Sequence, residues 1–186
     1  SPDSKLIAVG GDDLKVMIFD SKTLKYLFSF TGHTGCIQDI VWTNENDELK
    51  VISVSMDATM RVWNMNTRES EYIFSDHLSD INSIAISSNG SFVFTCADDS
   101  SVNVYDFFNR DHFLILKPHF GPIYSVDTNI DGYLASSSLD GTVALYSQDD
   151  WKLVKTMKFR ENIIRNVQFS PHGETLAVCV YGQIYA

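Results

Sequence analysis

The sequence predicts an all-β protein built as a tandem repeat of short antiparallel strands, and three observations carry that prediction. Residues 49–64 (LKVISVSMDATMRVWN) join one strand-like run to another through the turn Met56-Asp57-Ala58-Thr59, and the turn aspartate recurs as Asp13, Asp57, Asp99 and Asp140, at intervals of 44, 42 and 41 residues. An apolar pattern at Ile37, Ile40 and Trp42 recurs at Ile81, Ile84 and Ile86, at Ile123, Val126 and Thr128, and at Ile164, Val167 and Phe169, with the same intervals. The runs are short, rich in β-branched and aromatic residues and bounded by turn residues, and none reads as a helix. A period of this size marks a repeat architecture whose units bury their apolar faces on one another.

The elements follow in order. Residues 1–30 form an incomplete unit: KLIAVG, a turn at Asp12-Asp13, KVMIF, then KYLFSF. Ser1-Pro2-Asp3-Ser4 resembles Ser170-Pro171-His172-Gly173, which follows a strand, so a strand is expected before residue 1. Residues 31–75 are a complete unit that opens on Gly32-His33, continues through CIQDIVW and a polar loop from Asn44 to Glu48, and closes on EYIFS. Residues 76–117 place His77 where the previous unit has His33, and residues 118–157 place His119 there. In residues 158–186, Arg160 stands at the histidine position and Tyr181 at the aspartate position. The aromatic near the end of each third strand moves in step, as Phe19, Trp63, Tyr105 and Tyr146.

Composition narrows the function. Fourteen Lys and Arg against 24 Asp and Glu give a net charge of −10, which argues against nonspecific nucleic-acid binding through phosphates and fits a soluble protein or a partner with basic segments. Cys36, Cys96 and Cys179 stand alone, without metal-site spacing, and are expected as buried small hydrophobes in a reducing compartment, cytoplasm or nucleus. No apolar run approaches the roughly 20 residues of a membrane span. Asn89-Gly90-Ser91 is expected as a hairpin turn rather than a glycosylation site.

Gly-His, strands, an Asp in a tight turn and then Trp63-Asn64 in place of Trp-Asp resemble the WD-repeat β-propeller family over the whole chain. The resemblance implies three complete four-stranded blades flanked by two incomplete ones, part of a larger ring. It also implies a hydrogen-bonded set of four side chains in each complete blade: His33, Ser53, Asp57 and Trp63; His77, Thr95, Asp99 and Tyr105; His119, Ser136, Asp140 and Tyr146. Val9 and Phe19 replace two members in the first unit, and Ala177 and Tyr181 two in the last. Tyrosine carries its donor at a different place on the ring from tryptophan.

Recurrent His, Asp and Ser invite a catalytic or metal-binding reading, but one such set per unit would require several equivalent active sites on one ring. No phosphate loop, zinc spacing or nucleophile elbow is present, so no catalytic residue, metal, cofactor or small-molecule substrate is expected. In the family, partners meet the face that carries the loop before the first strand and the turn between the second and third. Carried over by position, that face presents Met56, Asp98 and Leu139 just before the turn aspartates, and Gln38, Asn82, Tyr124 and Arg165 one place into the first strands. The aromatic-rich loop 107–113 is a second candidate contact, at the opposite end of its blade. The expected function is a rigid protein-interaction scaffold in an intracellular assembly. The alternatives are a ribonucleoprotein or chromatin-associated propeller with some RNA contact, and a non-catalytic domain of a larger enzyme. Arg165 is the one cation among the candidate positions, which weighs against direct nucleic-acid contact.

Overall fold

The computed structural model describes residues 1–45, 48–159 and 163–180, and the backbone of 183–185. Arg160 and Tyr181, with two residues of the 44–48 loop, lie outside them. Every described element is a strand. A three-stranded sheet holds β1 (Leu6–Val9), β2 (Lys15–Asp20) and β3 (Tyr26–Thr31), and a four-stranded sheet holds β4 (Ile37–Glu45), β5 (Glu48–Ser55), β6 (Met60–Asn64) and β7 (Ser70–Phe74). Two further four-stranded sheets hold β8 (Ile81–Ile86), β9 (Phe92–Ala97), β10 (Val102–Asp106) and β11 (Asp111–Leu116), then β12 (Ile123–Thr128), β13 (Tyr133–Ser138), β14 (Thr142–Ser147) and β15 (Leu153–Lys158). The last sheet has β16 (Ile164–Phe169), β17 (Leu176–Val180) and β18 (Gln183–Tyr185). In all five, strands adjacent in sequence are adjacent in the sheet, which short hairpin turns dictate. The chain divides into two compact units, Ser1–Ile81 and Asn82–Ala186, at the first two residues of β8.

In the first unit, Val16, Ile18 and Phe30 of one sheet pack on Ile37, Val51 and Trp63 of the next. Phe30 stacks on Trp63 with ring centroids 5.2 Å apart. In the second unit the period of two along a strand serves two cores at once. Leu134, Ala144 and Tyr146 of the middle sheet face Phe94 and Val104 of the sheet before it, while Ala135 and Val143 face Ile164 and Val178 of the sheet after it. Both faces of that sheet are therefore buried, and β13 and β14 read as nearly continuous small and apolar runs.

Two expectations need correction. The polar loop from Asn44 to Glu48 is mostly ladder, because Asn44 pairs with Leu49 and Glu45 with Glu48. The Lys50 ammonium, only 5% exposed as a residue, bonds buried Glu45 and the more exposed Glu71 at 2.6 Å each, so two charges that look like loop residues are buried as a pair. Burial alone would lower the Lys50 pKa, but the two glutamates outweigh it and raise it. Among the described residues the cysteines form no disulfide, but only Cys96 is buried. Cys36 and Cys179 are half-buried, since each sits near a strand end.

The first four sheets repeat the same backbone irregularities. Pairing of the last two strands slips at Ile18/Phe19, Val62/Trp63, Val104/Tyr105 and Leu145/Tyr146, always beside the recurrent aromatic. The residue after the turn aspartate is left-handed in every copy: Leu14, Ala58, Ser100 and Gly141. Only Gly141 adopts that conformation without steric cost. Asn89-Gly90-Ser91 is a turn between β8 and β9, with Gly90 at φ +73°.

Candidate functional site

The loop before β4 folds onto the turn between β5 and β6. Met56 N donates to Cys36 O and Ser55 Oγ to Gly35 O, and a Cβ on Gly35 would lie 2.6 Å from Asp57 N, so the approach requires glycine. This brings His33, Ser53, Asp57 and Trp63 together. Trp63 Nε1 donates to Ser53 Oγ at 2.8 Å, Ser53 Oγ is 2.8 Å from His33 Nε2, and His33 Nδ1 is 2.9 Å from Asp57 Oδ2. Tryptophan can only donate and carboxylate only accept, so with a neutral imidazole the chain runs one way and the proton sits on Nδ1. Burial lowers the His33 pKa against the pull of Asp57. For Asp57, burial alone would raise the pKa, but hydrogen bonds from Thr59, Thr34 N–H and His33 bring it down to about 2.

The equivalent set in β12–β15 is joined differently. His119 Nε2 is 2.8 Å from Ser136 Oγ, but Nδ1 is nearer Thr142 Oγ1, at 2.9 Å, than Asp140 Oδ2, at 3.3 Å. Among the described residues no hydrogen bond joins Tyr146 to Ser136, and burial raises the Tyr146 pKa. In the remaining set, His77 belongs to the first unit and Thr95, Asp99 and Tyr105 to the second. His77, Thr95 and Tyr105 are buried, and Asp99 Oδ1 accepts from Ser101 N and Oγ. Sequence reasoning missed these hydroxyls: Thr59, Ser101 and Thr142 each donate to the aspartate two residues earlier at 2.6 Å. The signal was available, since Ser or Thr stands at that place in all three copies that carry the histidine.

Three of the seven positions named as candidate contacts have a common origin in the ladder. The pairing of first and second strands skips Gln38, Tyr124 and Arg165, so each is the extra residue of a β-bulge. A bulge takes a residue out of the ladder and re-aims its side chain. In the second unit these residues form a row. Asn82 Nδ2 donates to Asp98 Oδ1 at 2.7 Å and to Ile123 O at 2.8 Å, and the Arg165 guanidinium lies 4.5 Å from the centre of the Tyr124 ring. Leu139 is exposed at the same end, tied by its N–H to Pro122 O. Phe120, which sequence reasoning also missed, is 100% exposed, although its N–H is fixed on Asp140 Oδ2 at 3.0 Å. It follows the histidine directly, a position that the strand periodicity does not reach. In the first unit Gln38 and Met56 are exposed.

The aromatic loop at the opposite end is partly folded away. Phe107 is buried with the Arg110 guanidinium 4.3 Å from its ring, Phe108 is exposed, and Phe113 leans on Phe92 and Trp151. Among the described residues no group of three His, Cys, Asp or Glu is placed to hold a metal.

A family profile described as WD domain, G-beta repeat matches residues 24–64, 68–106 and 111–147, more than half of the chain. The Periodic tryptophan protein 2 homolog of Caenorhabditis elegans is 28% identical over 181 residues, covering 96% of the chain and 19% of that protein. Periodic tryptophan protein 2 of Arabidopsis thaliana is 29% identical over 182 residues, covering 95% and 20%. Pre-mRNA-processing factor 19 of Mus musculus is 30% identical over 97 residues, 52% of the chain and 19% of that protein. The chain spans about a fifth of the length of these curated relatives.

Proposed function

This chain belongs to the WD40 family of WD domain, G-beta repeats, and on that premise we propose that it is a non-catalytic interaction scaffold, a subunit of an intracellular multiprotein assembly. The division into blades that goes with it is 1–30, 31–75, 76–117, 118–157 and 158–186. The observation that carries the reading is the bulged pair Tyr124 and Arg165, which leave the ladder and stack on each other, with Phe120 and Leu139 exposed in the loops at the same end of the sheets. Aromatic and arginine side chains on a rigid backbone dominate binding energy at interfaces and lose little conformational freedom on binding. Asn82 and Asp98 extend the row with polar contacts, and Gln38 and Met56 serve the first unit in the same role. The tetrad side chains support a structural role, because each nitrogen of His33 and of His119 already faces an internal partner.

The test is quantitative co-purification with the full-length protein. Tyr124→Ala, Arg165→Ala and Phe120→Ala should each weaken at least one partner by about 2 kcal/mol, roughly 30-fold, at unchanged melting temperature. Recovery equal to wild type for all three would refute the placement. A second reading, a subunit of a ribonucleoprotein or chromatin-associated complex with some RNA contact, draws on the similarity to Pre-mRNA-processing factor 19. Crosslinking of RNA to peptides of this chain would favour it.

A further inference from the structure

The fourth repeat departs from the others at the end of its first strand. Where the other first strands carry Trp42, Ile86 and Phe169, β12 carries Thr128, and the residue before it is Asp127 in place of Val41, Ala85 or Gln168. The smaller side chain leaves room at the end of β8, β12 and β16 remote from His119, where a cavity of about 540 Å³ opens between walls that include Ile86, Ile130, Phe169 and Pro171. Asp127 lines it. Its Oδ2 accepts the Phe169 N–H at 2.6 Å and its Oδ1 the Thr128 N–H at 2.9 Å, so the carboxylate is held by two strands at once. Burial pushes its pKa up, the mark of a carboxylate without a cation beside it. A second cavity of about 340 Å³ shares Ser88 and Ile130 with the first and adds Asp131 and Asp149, both exposed. Among the described residues the two cavities carry three carboxylates and no Lys, Arg or His.

We propose that this groove binds an extended segment of a partner protein bearing lysine or arginine, with one cationic head at Asp127, its aliphatic stem against Ile86 and Phe169, and a following basic residue over Asp131 and Asp149. An apolar wall around a fixed carboxylate suits a long cationic side chain, whose stem is hydrophobic and whose head pairs with the charge. The same field repels a phosphate backbone, so the partner is protein rather than nucleic acid. The site lies at the opposite end of the sheets from Tyr124 and Arg165 and does not depend on them.

The probe is a fluorescein-labelled peptide of five Lys-Ala repeats, with five Glu-Ala repeats as control, read by fluorescence anisotropy on the full-length protein. We expect the lysine peptide to bind and the glutamate peptide not to. Thr128→Ile, which fills the cavity with the residue type of β8, and the double variant Asp131→Asn/Asp149→Asn, which alters only exposed groups, should each weaken binding at least tenfold, while Tyr124→Ala should leave it within twofold. The double variant keeps the test decisive if Thr128→Ile disturbs folding. Absence of lysine-peptide binding, equal binding of the glutamate peptide, affinity within twofold of wild type in the double variant, or loss confined to Tyr124→Ala would each overturn the proposal.

Discussion

Trp63 and Tyr146 stand at the same place in two sheets, yet only Trp63 reaches its serine. The consequence runs down the set: His33 lies nearer the carboxylate (2.9 Å) than Thr59 (3.3 Å), whereas His119 lies nearer Thr142 (2.9 Å) than the carboxylate (3.3 Å). A tryptophan N–H fixes the direction of every bond that follows. Without that donor the remaining hydroxyls and imidazole are still paired, but the chain is one member shorter. Equivalent residues in a repeat therefore need not carry equivalent energy.

The comparison can be broken most strongly at the carboxylate. Asp57→Ala strands His33 Nδ1–H and the part-buried Thr59 groups, at about 1 to 3 kcal/mol for each buried unsatisfied group, and leaves the exposed Thr34 N–H to water, so a loss of about 3 kcal/mol is expected. Asp13→Ala, at an exposed aspartate whose bond to Lys15 N is 3.4 Å, should cost under about 0.5 kcal/mol. Equal shifts in thermal melting for the two would contradict the account. One step milder, Trp63→Phe removes a donor and part of a stacked ring and should cost about 2 kcal/mol, against less than about 0.5 kcal/mol for Tyr146→Phe. Denaturant midpoints of the two variants decide it.

Acid acts on both sets. Burial lowers His33 and His119, so the unfolded imidazoles take up protons near their ordinary 6.5 before the folded ones do, and stability should begin to fall as pH drops below that value. Asp57, ordinarily 3.8 and here about 2, contributes up to about 2 kcal/mol that is fully present above roughly pH 5 and lost as pH falls toward 2. A melting temperature flat from pH 7 to 5 would exclude the histidine part. The smallest effect belongs to the turn: Ala58→Gly, at φ +61°, should stabilise by a few tenths to about 1 kcal/mol, and Gly141→Ala, at φ +79°, should destabilise by about the same. Shifts of the same sign for both would exclude conformational strain as the cause.

The strands and their period were legible because alternating apolar residues and turn aspartates are local signals, and β4, β8, β12 and β16 start where Ile37, Ile81, Ile123 and Ile164 begin their pattern. The Lys50 group was not legible. Its partners are five residues before and 21 residues after it, and charged residues beside a turn read as solvent-facing whether or not they pair. At the interaction surface, position picked out Tyr124 and Arg165, but not the bulge that frees them, because a bulge is a property of pairing between strands. Phe120 escaped because nothing in one sequence marks a loop residue whose backbone is pinned by a distant carboxylate.

Lys50 carries one more consequence. Amine-reactive acylating reagents need a neutral, accessible amine, and Lys50 is neither while Glu45 and Glu71 hold it, whereas Lys5 and Lys152 stand with most of their side chains in water. Labelling of Lys5 and Lys152 should be fast and insensitive to folding, and labelling of Lys50 should proceed only when the sheet of β4 to β7 opens. The ratio of the two, read by mass spectrometry, makes this lysine a built-in gauge of how often that sheet comes apart under native conditions.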